Sequence, residues 1–335
     1  MLQEILNQYF GIQAQQSIKD GGYERYIRNG VLYTIVNVTN VEQEYLVELY
    51  QMAQHLSERG DKYVSSFVQA KEEKFLITHD EQDYVLLQNQ QLQPPREKRL
   101  GRKLAKFHER GRTIPDKITY NSRIGEWKGL WEKRLDQMEK ACYDMVQREP
   151  NDDFERMLID AFPYYLGLAE NGIQYLVDTE LDDEPTSEDA GTVCHNRFLN
   201  NTWGTQYWVR FPFEWVFDHC SRDIADYIRG QYLSRNRTFG PDVQKFSQEY
   251  ESVSKISSFG YRLTYARLVF PLHFFECVEE YFISGSEQRR NTLEEKLARY
   301  LKYSGDYERF LGSFYEIVGV SAKSQSLPRI QWLTK

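Results

Sequence analysis

The sequence predicts an α+β protein of two lobes, a small β-rich one followed by a larger helical one. Three observations carry this. An Asn29-Gly30 pair sits between two strand-like runs, the signature of a tight hairpin. Residues 88–95 (Gln-Asn-Gln-Gln-Leu-Gln-Pro-Pro) are polar, low in complexity and closed by two prolines, which is linker chemistry. Beyond them the hydrophobic pattern changes to helical spacing almost to the end. A length of 335 residues fits two units at roughly 150 residues per domain. The lobes are accordingly expected at 1–90 and 91–335.

In chain order, residues 2–10 form a short helix with Leu2, Ile5, Leu6 and Tyr9 on one side and Gly11 as its stop. Residues 23–28 and 31–38 are the hairpin strands. A helix follows over 41–59, capped by Thr39 or Asn40, with Tyr45, Leu49, Met52 and Leu56 on one face and Gly60 at its end. Strands fit 63–69, 74–78 and 84–88, so the sheet is expected to be mostly antiparallel.

After the linker, helices fit 96–110, 124–146, 154–181 (broken at Pro163), 222–233, 243–253, 259–283, 288–303 and 307–318. Only 192–217 interrupts them with strand-like runs, and no internal repeat is present.

Composition excludes several classes. Forty-one per cent hydrophobic and 27% charged residues are ordinary globular usage. The net charge of −8 has the wrong sign for a general nucleic-acid binder. No apolar run approaches the roughly 20 residues of a membrane span, and the start Met-Leu-Gln-Glu lacks signal-peptide character, so synthesis and retention in the cytoplasm is the expectation. Cys142, Cys194, Cys220 and Cys277 are widely spaced without a CxxC pair, arguing for reduced thiols rather than disulfides or structural zinc. The aromatic content, 24 Tyr, 19 Phe and 6 Trp, is assigned mainly to the core and interfaces.

Four stretches invite a functional reading. Residues 96–112 hold eight Lys or Arg against Glu97 and Glu109; this is either the solvated side of an amphipathic helix, the favoured reading, or a phosphate-binding face. Residues 178–189 hold seven acids and no base; an exposed mobile loop is favoured over a metal site. Gly21-Gly22 is a single pair, commoner in plain turns than in phosphate loops. His195 lies in Cys194-His-Asn-Arg-Phe-Leu-Asn-Asn-Thr202, a short β-rich insert between long helices, followed by Phe217-Asp-His-Cys-Ser-Arg-Asp-Ile-Ala225.

A β-rich lobe, a hinge, and a helical lobe with a His-led loop closed by an Asp-hydrophobic-Ala helix start resembles the aminoglycoside phosphotransferase and choline kinase type of protein-kinase-like fold. Within it the chain is similar to the spore-coat-associated kinase-like proteins of endospore-forming bacteria. The segments that carry this are Val-Thr-Asn-Val-Glu-Gln-Glu at 38–44, Met-Ala-Gln-His-Leu-Ser-Glu-Arg-Gly-Asp at 52–61, Leu-Ala-Lys-Phe-His at 104–108, Trp-Glu-Lys-Arg-Leu-Asp-Gln-Met-Glu at 131–139 and Trp-Val-Phe-Asp-His-Cys-Ser-Arg-Asp-Ile at 215–224. They span nearly the whole chain, and none is a catalytic motif.

Phosphoryl transfer needs a cation on the ATP phosphates, groups that hold Mg²⁺, and a base for the substrate hydroxyl. The resemblance implies a Lys or Arg on the strand after the hairpin, yet no Lys or Arg occurs from Asn29 to Glu58. It implies a His-x-Asp loop with an Asn five residues after the Asp; those positions read His195, Arg197 and Thr202. A guanidinium cannot act as a base near neutral pH. The second metal acid falls near Phe211, with Asp218 on a later acid, although a shifted loop leaves Asp218 as an alternative ligand. Glu214, the only carboxylate between Cys194 and Phe217, is the alternative base. Asp223 matches the acid that accepts hydrogen bonds from the catalytic-loop amides, a structural role.

The reading is therefore a kinase-like protein with degraded catalytic motifs, a binding or scaffold component of the spore coat. It expects no cofactor or metal, spore coat proteins as partners, and no nucleic-acid partner. The alternative is an active small-molecule phosphotransferase that uses ATP and Mg²⁺ on an amino alcohol, amino acid or sugar hydroxyl.

Overall fold

The computed structural model describes residues 2–20, 22–71, 73–94, 99–235, 238–323 and 327–334. The chain divides into two compact units. One comprises Met1–Ser122, Gly191–Asp223 and Ser252–Ser254; the other comprises Arg123–Ala190, Ile224–Glu251 and Lys255–Lys335.

The first unit opens with α1 (Leu2–Phe10), followed by β1 (Gln16–Asp20), β2 (Tyr23–Arg28), β3 (Val31–Asn37), α2 (Gln43–Glu58), β4 (Ser66–Val68), β5 (Leu76–His79), β6 (Gln82–Asn89) and α3 (Leu100–Gly111). The sheet runs β1-β2-β3-β6-β4, with β5 also on β6, and every pairing between these strands is antiparallel, as expected. The Asn29-Gly30 turn takes positive φ at both residues, the conformation a two-residue hairpin requires. Strand alternation gives the sheet two buried faces. Tyr26, Ile35 and Leu86 pack with Ile5 and Leu6 of α1 on one. Leu32, Val36, Val85 and Leu87 pack with Val209 and Phe211 on the other. Full burial of such side chains is worth about 1.5–3 kcal/mol each.

The sequence reading missed β1, whose run Gln-Ser-Ile-Lys-Asp has one apolar residue and becomes a strand by pairing along its whole length with β2. Helix α2 starts at Gln43 rather than after Thr39. The Thr39 hydroxyl instead accepts from the Asp83 N–H and donates to Asn37 Oδ1, tying β3 to β6. The helix expected over 96–110 is described from Leu100; residues 95–98, including the end of the linker, lie outside the described residues.

The same unit contains β7 (Thr192–His195) and β8 (Trp215–Asp218), an antiparallel pair. Helix α3 approaches β7 closely: a Cβ on Gly111 would lie 2.4 Å from Thr192 Oγ1 and 2.6 Å from the Val193 nitrogen.

The second unit carries α4 (Trp127–Arg148), α5 (Asp153–Asp182), most of α6 (Ser221–Arg235), α7 (Gly240–Glu251), α8 (Ser258–Val269), α9 (Leu272–Ile283), α10 (Glu287–Lys302), α11 (Ser304–Gly312) and α12 (Phe314–Ile317). Aromatics fill its core, with Trp131 stacked on Phe270 and Tyr165 on Phe274. Three expectations are corrected. Helix α5 runs through Pro163 without a break; the buried stripe on both sides, with Phe162 and Tyr165 adjoining the proline, outweighs one lost hydrogen bond. The helix expected over 259–283 is two, because Pro271 forces extended backbone on Phe270 before α9 begins. The acidic stretch is a loop only in part: Asp178, Glu180 and Asp182 end α5, residues 183–186 form a largely exposed connection, and Thr186 with Asp189 forms a capping box whose Asp189 also accepts from the Ser257 hydroxyl.

All four cysteines are free and buried. Among the described residues no helix is long and apolar enough to cross a membrane.

Candidate functional site

The elements that the resemblance assigns to a kinase active site lie within the first unit. Its organising residue is Asp223, in the first turn of α6 and fully buried. Asp223 Oδ1 accepts from the His195 backbone N–H at 2.9 Å. Its Oδ2 lies 2.7 Å from His195 Nδ1 and 3.1 Å from His108 Nε2. The Trp203 indole N–H points at His195 Nε2, 2.9 Å away. An indole only donates, so Nε2 is the acceptor and the His195 proton sits on Nδ1, facing Asp223. Both ring nitrogens of His195 are therefore engaged. Burial by itself would raise the Asp223 carboxyl, but the two imidazoles hold it well below the carboxylate range. Burial pushes His108 down to about 4, against the pull of Asp223.

Among the described residues His108, Cys194 and Asp223 are the group with metal-ligand spacing, their ligand atoms within 4.8 Å of one another. The donor chemistry does not fit an ion. His108 Nε2 faces Asp223, and burial lifts the Cys194 thiol well above its ordinary value. That thiol points at the carbonyls of Asp218 and His219. The group is a hydrogen-bonded core joining α3, β7 and α6.

The loop after His195 is folded on itself. Arg197, half-buried, donates to the Asn196 carbonyl at 2.8 Å. The Thr202 hydroxyl accepts from the Leu199 N–H at 2.7 Å and donates to the Arg197 carbonyl. Asp218, buried at the end of β8, is ion-paired to Arg222 through Oδ2 at 2.7 Å and accepts the His219 N–H on Oδ1. Arg222 also donates to the His195 carbonyl, so this guanidinium ties the β8 end to the loop. Phe211, near where the resemblance would place a metal acid, is buried against the Tyr23 ring at 4.5 Å.

A cleft of about 340 Å³ brings Arg197, Thr202, Phe211 and Glu214 together with Asp20 and Arg25. Burial raises the Glu214 carboxyl, partly offset by His195 and Arg25. Arg25 was not singled out from the sequence. It stands on β2 directly opposite Thr34 of β3, so both project from one face of the sheet, and it supplies a cation beside the strand that lacks one. Arg25 is 3% exposed and lies 3.7 Å from Asp20. The other Asp20 oxygen accepts the Thr205 hydroxyl and N–H. A usable signal was present: Arg25 is flanked two residues either way by Tyr23 and Ile27, which places it on a buried strand face. Gly22 has φ of +81°; Gly21 lies outside the described residues.

Glu48, the buried acid of α2, is spent elsewhere. Its oxygens accept the backbone N–H groups of Thr119, Tyr120 and Asn121 at 2.6, 3.0 and 2.7 Å. Burial opposes ionisation, yet these donors hold the carboxyl below its ordinary value.

Residues 3–314 match a family model described as "Spore coat putative kinase YutH". The chain is 42% identical over 339 residues to the endospore coat-associated protein YutH of Bacillus subtilis (strain 168), covering 100% of this chain and 99% of that one. An aminoglycoside phosphotransferase from Alicyclobacillus acidocaldarius superposes with a TM-score of 0.67 at 18% identity, covering 91% of this chain and 92% of its own. A microcompartment-associated aminopropanol kinase superposes at 0.61 with 10% identity, over 95% of this chain and 98% of its own. At these identities the structural likeness speaks for the fold, which is the kinase-like α+β fold expected from the sequence.

Proposed function

The chain belongs to the YutH family of spore-coat proteins and has a kinase-like fold, and from that premise we propose that it is a pseudokinase, a binding or scaffold component of the endospore coat. The observation that carries this is the loop after His195. Where a phosphotransferase presents a carboxylate base it presents Arg197, and the nearby acid on β8, Asp218, is neutralised by Arg222 at 2.7 Å. A guanidinium accepts no proton at cellular pH. A Mg²⁺ ion at Asp218 would have to displace one cation and sit beside it. Glu48, the buried acid of α2, is committed to the 119–121 backbone and so is not available for the ion pair of an active kinase. Asp223 keeps the loop folded without taking part in chemistry. In this reading the protein is made in the cytoplasm, joins the coat through other coat proteins, and needs neither ATP nor Mg²⁺.

A second reading, an active small-molecule phosphotransferase, is favoured by one observation: Arg25 and Glu214 line the same cleft, as a phosphate cation and a base of raised affinity for protons. Titration calorimetry with ATP and Mg²⁺ separates the two. The pseudokinase reading expects no micromolar, Mg²⁺-dependent binding, with the protein recovered in the coat fraction of spores. Micromolar binding weakened by Arg25→Ala would favour the second.

A further inference from the structure

Away from the cleft, the first unit has a second concavity of about 370 Å³ that is strongly basic. Lys62, from the turn after α2, meets Lys103, Lys106 and Arg110 of α3 and Arg210 from the segment before β8. Among the described residues that line it, one carboxylate stands with these five cations: Asp61, which pairs with Arg110 at 3.0 Å and also with Arg210. One acid shared by two guanidiniums leaves a surplus of positive charge in a protein whose net charge is −8.

Two buried donors lining the cavity are unpartnered. The Trp208 indole N–H and the Arg210 Nε–H have no hydrogen-bond partner, although these residues are only 6% and 4% exposed. A buried donor without an acceptor costs about 1–3 kcal/mol, so an acceptor placed there recovers free energy. The Arg210 guanidinium carbon lies over the Trp203 ring, 4.3 Å from its centroid, and Lys103 Nζ sits 3.7 Å over the Trp208 ring. These cations are thus fixed in place by aromatic stacking rather than free to swing into solvent.

We propose that this concavity is a binding site for a compact, multiply charged phosphate oxyanion of the diphosphate class. Guanidinium forks match phosphate oxygens in pairs, and lysines add point charge. The space exceeds a single phosphate, and five cations against one acid match more than one charged group. The basic helix therefore does more than present a solvated face: three of its cations converge with two from elsewhere in the unit.

Inorganic pyrophosphate is the probe, measured by calorimetry and Trp fluorescence at low and moderate salt. The site predicts saturable 1:1 binding that weakens with salt, at least tenfold weaker in Lys62→Ala/Lys106→Ala. It should be changed less than twofold in Lys133→Ala/Lys140→Ala on α4. Trp208→Phe should abolish the fluorescence change while keeping the melting temperature within a few degrees. ADP tests the source: binding tighter than pyrophosphate and equally sensitive to Lys62→Ala/Lys106→Ala identifies a nucleotide diphosphate, and weaker binding identifies the free oxyanion. No saturable pyrophosphate binding, or an equal loss in the α4 control, overturns the proposal.

Discussion

Asp223 and His195 are joined twice, the carboxylate taking the histidine's backbone N–H on one oxygen and its ring Nδ1 on the other, at 2.9 and 2.7 Å. With His108 on the second oxygen, one buried side chain fixes α3, β7 and the start of α6. These bonds hold the backbone at His195, from which the loop carrying Arg197 sets out.

Replacing Asp223 by Ala should therefore destabilise the protein by about 2–4 kcal/mol, because three buried donors lose their acceptor together. Urea unfolding measures it. A loss below about 1 kcal/mol would mean that water or rearrangement satisfies these donors readily.

Acid should act through His108. Its folded value of about 4 lies below the ordinary 6.5, so between those values the unfolded chain binds the extra proton and stability falls as pH drops from 6.5 towards 4. Asp223 and Glu48, both depressed, add losses of the same sign at lower pH, as the pH falls through their folded values. The melting temperature should decline over that upper window, and His108→Gln should flatten the decline there.

Two glycines should not tolerate a methyl group. A Cβ at Gly111 meets the Val193 nitrogen at 2.6 Å, and one at Gly172 meets the Phe270 nitrogen at 2.8 Å. Each faces backbone, which cannot turn aside, so Gly111→Ala and Gly172→Ala should each cost about 1–3 kcal/mol. Gly129→Ala on α4, where nothing lies within 4 Å, should be neutral or stabilising.

Much of this was legible in the chain because local chemistry and tertiary packing agree there. Asn29-Gly30 announces its hairpin, and the stripe of α4 recurs at helical spacing. Strand β1 was not legible, since its residues carry no apolar alternation and acquire strand geometry only by pairing with β2. Pro163 misled because the penalty of a proline is local, whereas the burial that outweighs it is tertiary. In the site, Arg197 and Asp223 stood out only through the resemblance, and spacing alone does not show that the Asp223 carboxylate takes the His195 N–H. Arg25 could not be weighed in the same way: its strand partner Thr34 is nine residues away, and only the register brings it beside the strand without a cation. The ion pair of Asp218 with Arg222 lies at helical spacing and was visible in principle, but the count alone does not say whether that carboxylate faces the cleft or its neighbour.

Restoring single groups should not restore chemistry. Arg197→Asp supplies a carboxylate, but Asp218 stays paired with Arg222 and Phe211 supplies no metal ligand. No phosphotransferase activity should appear in that variant, and any rate above background in a coupled ATPase assay would show that the metal site is intact.

The most direct test of the central claim is ATP turnover by the unmodified protein, with Mg²⁺, against a panel of amino alcohols, amino acids and sugars. The pseudokinase account predicts no product above the enzyme-free rate with any of them. Turnover that is abolished by Glu214→Gln or Asp218→Ala, with the melting temperature of the variant preserved, would contradict it.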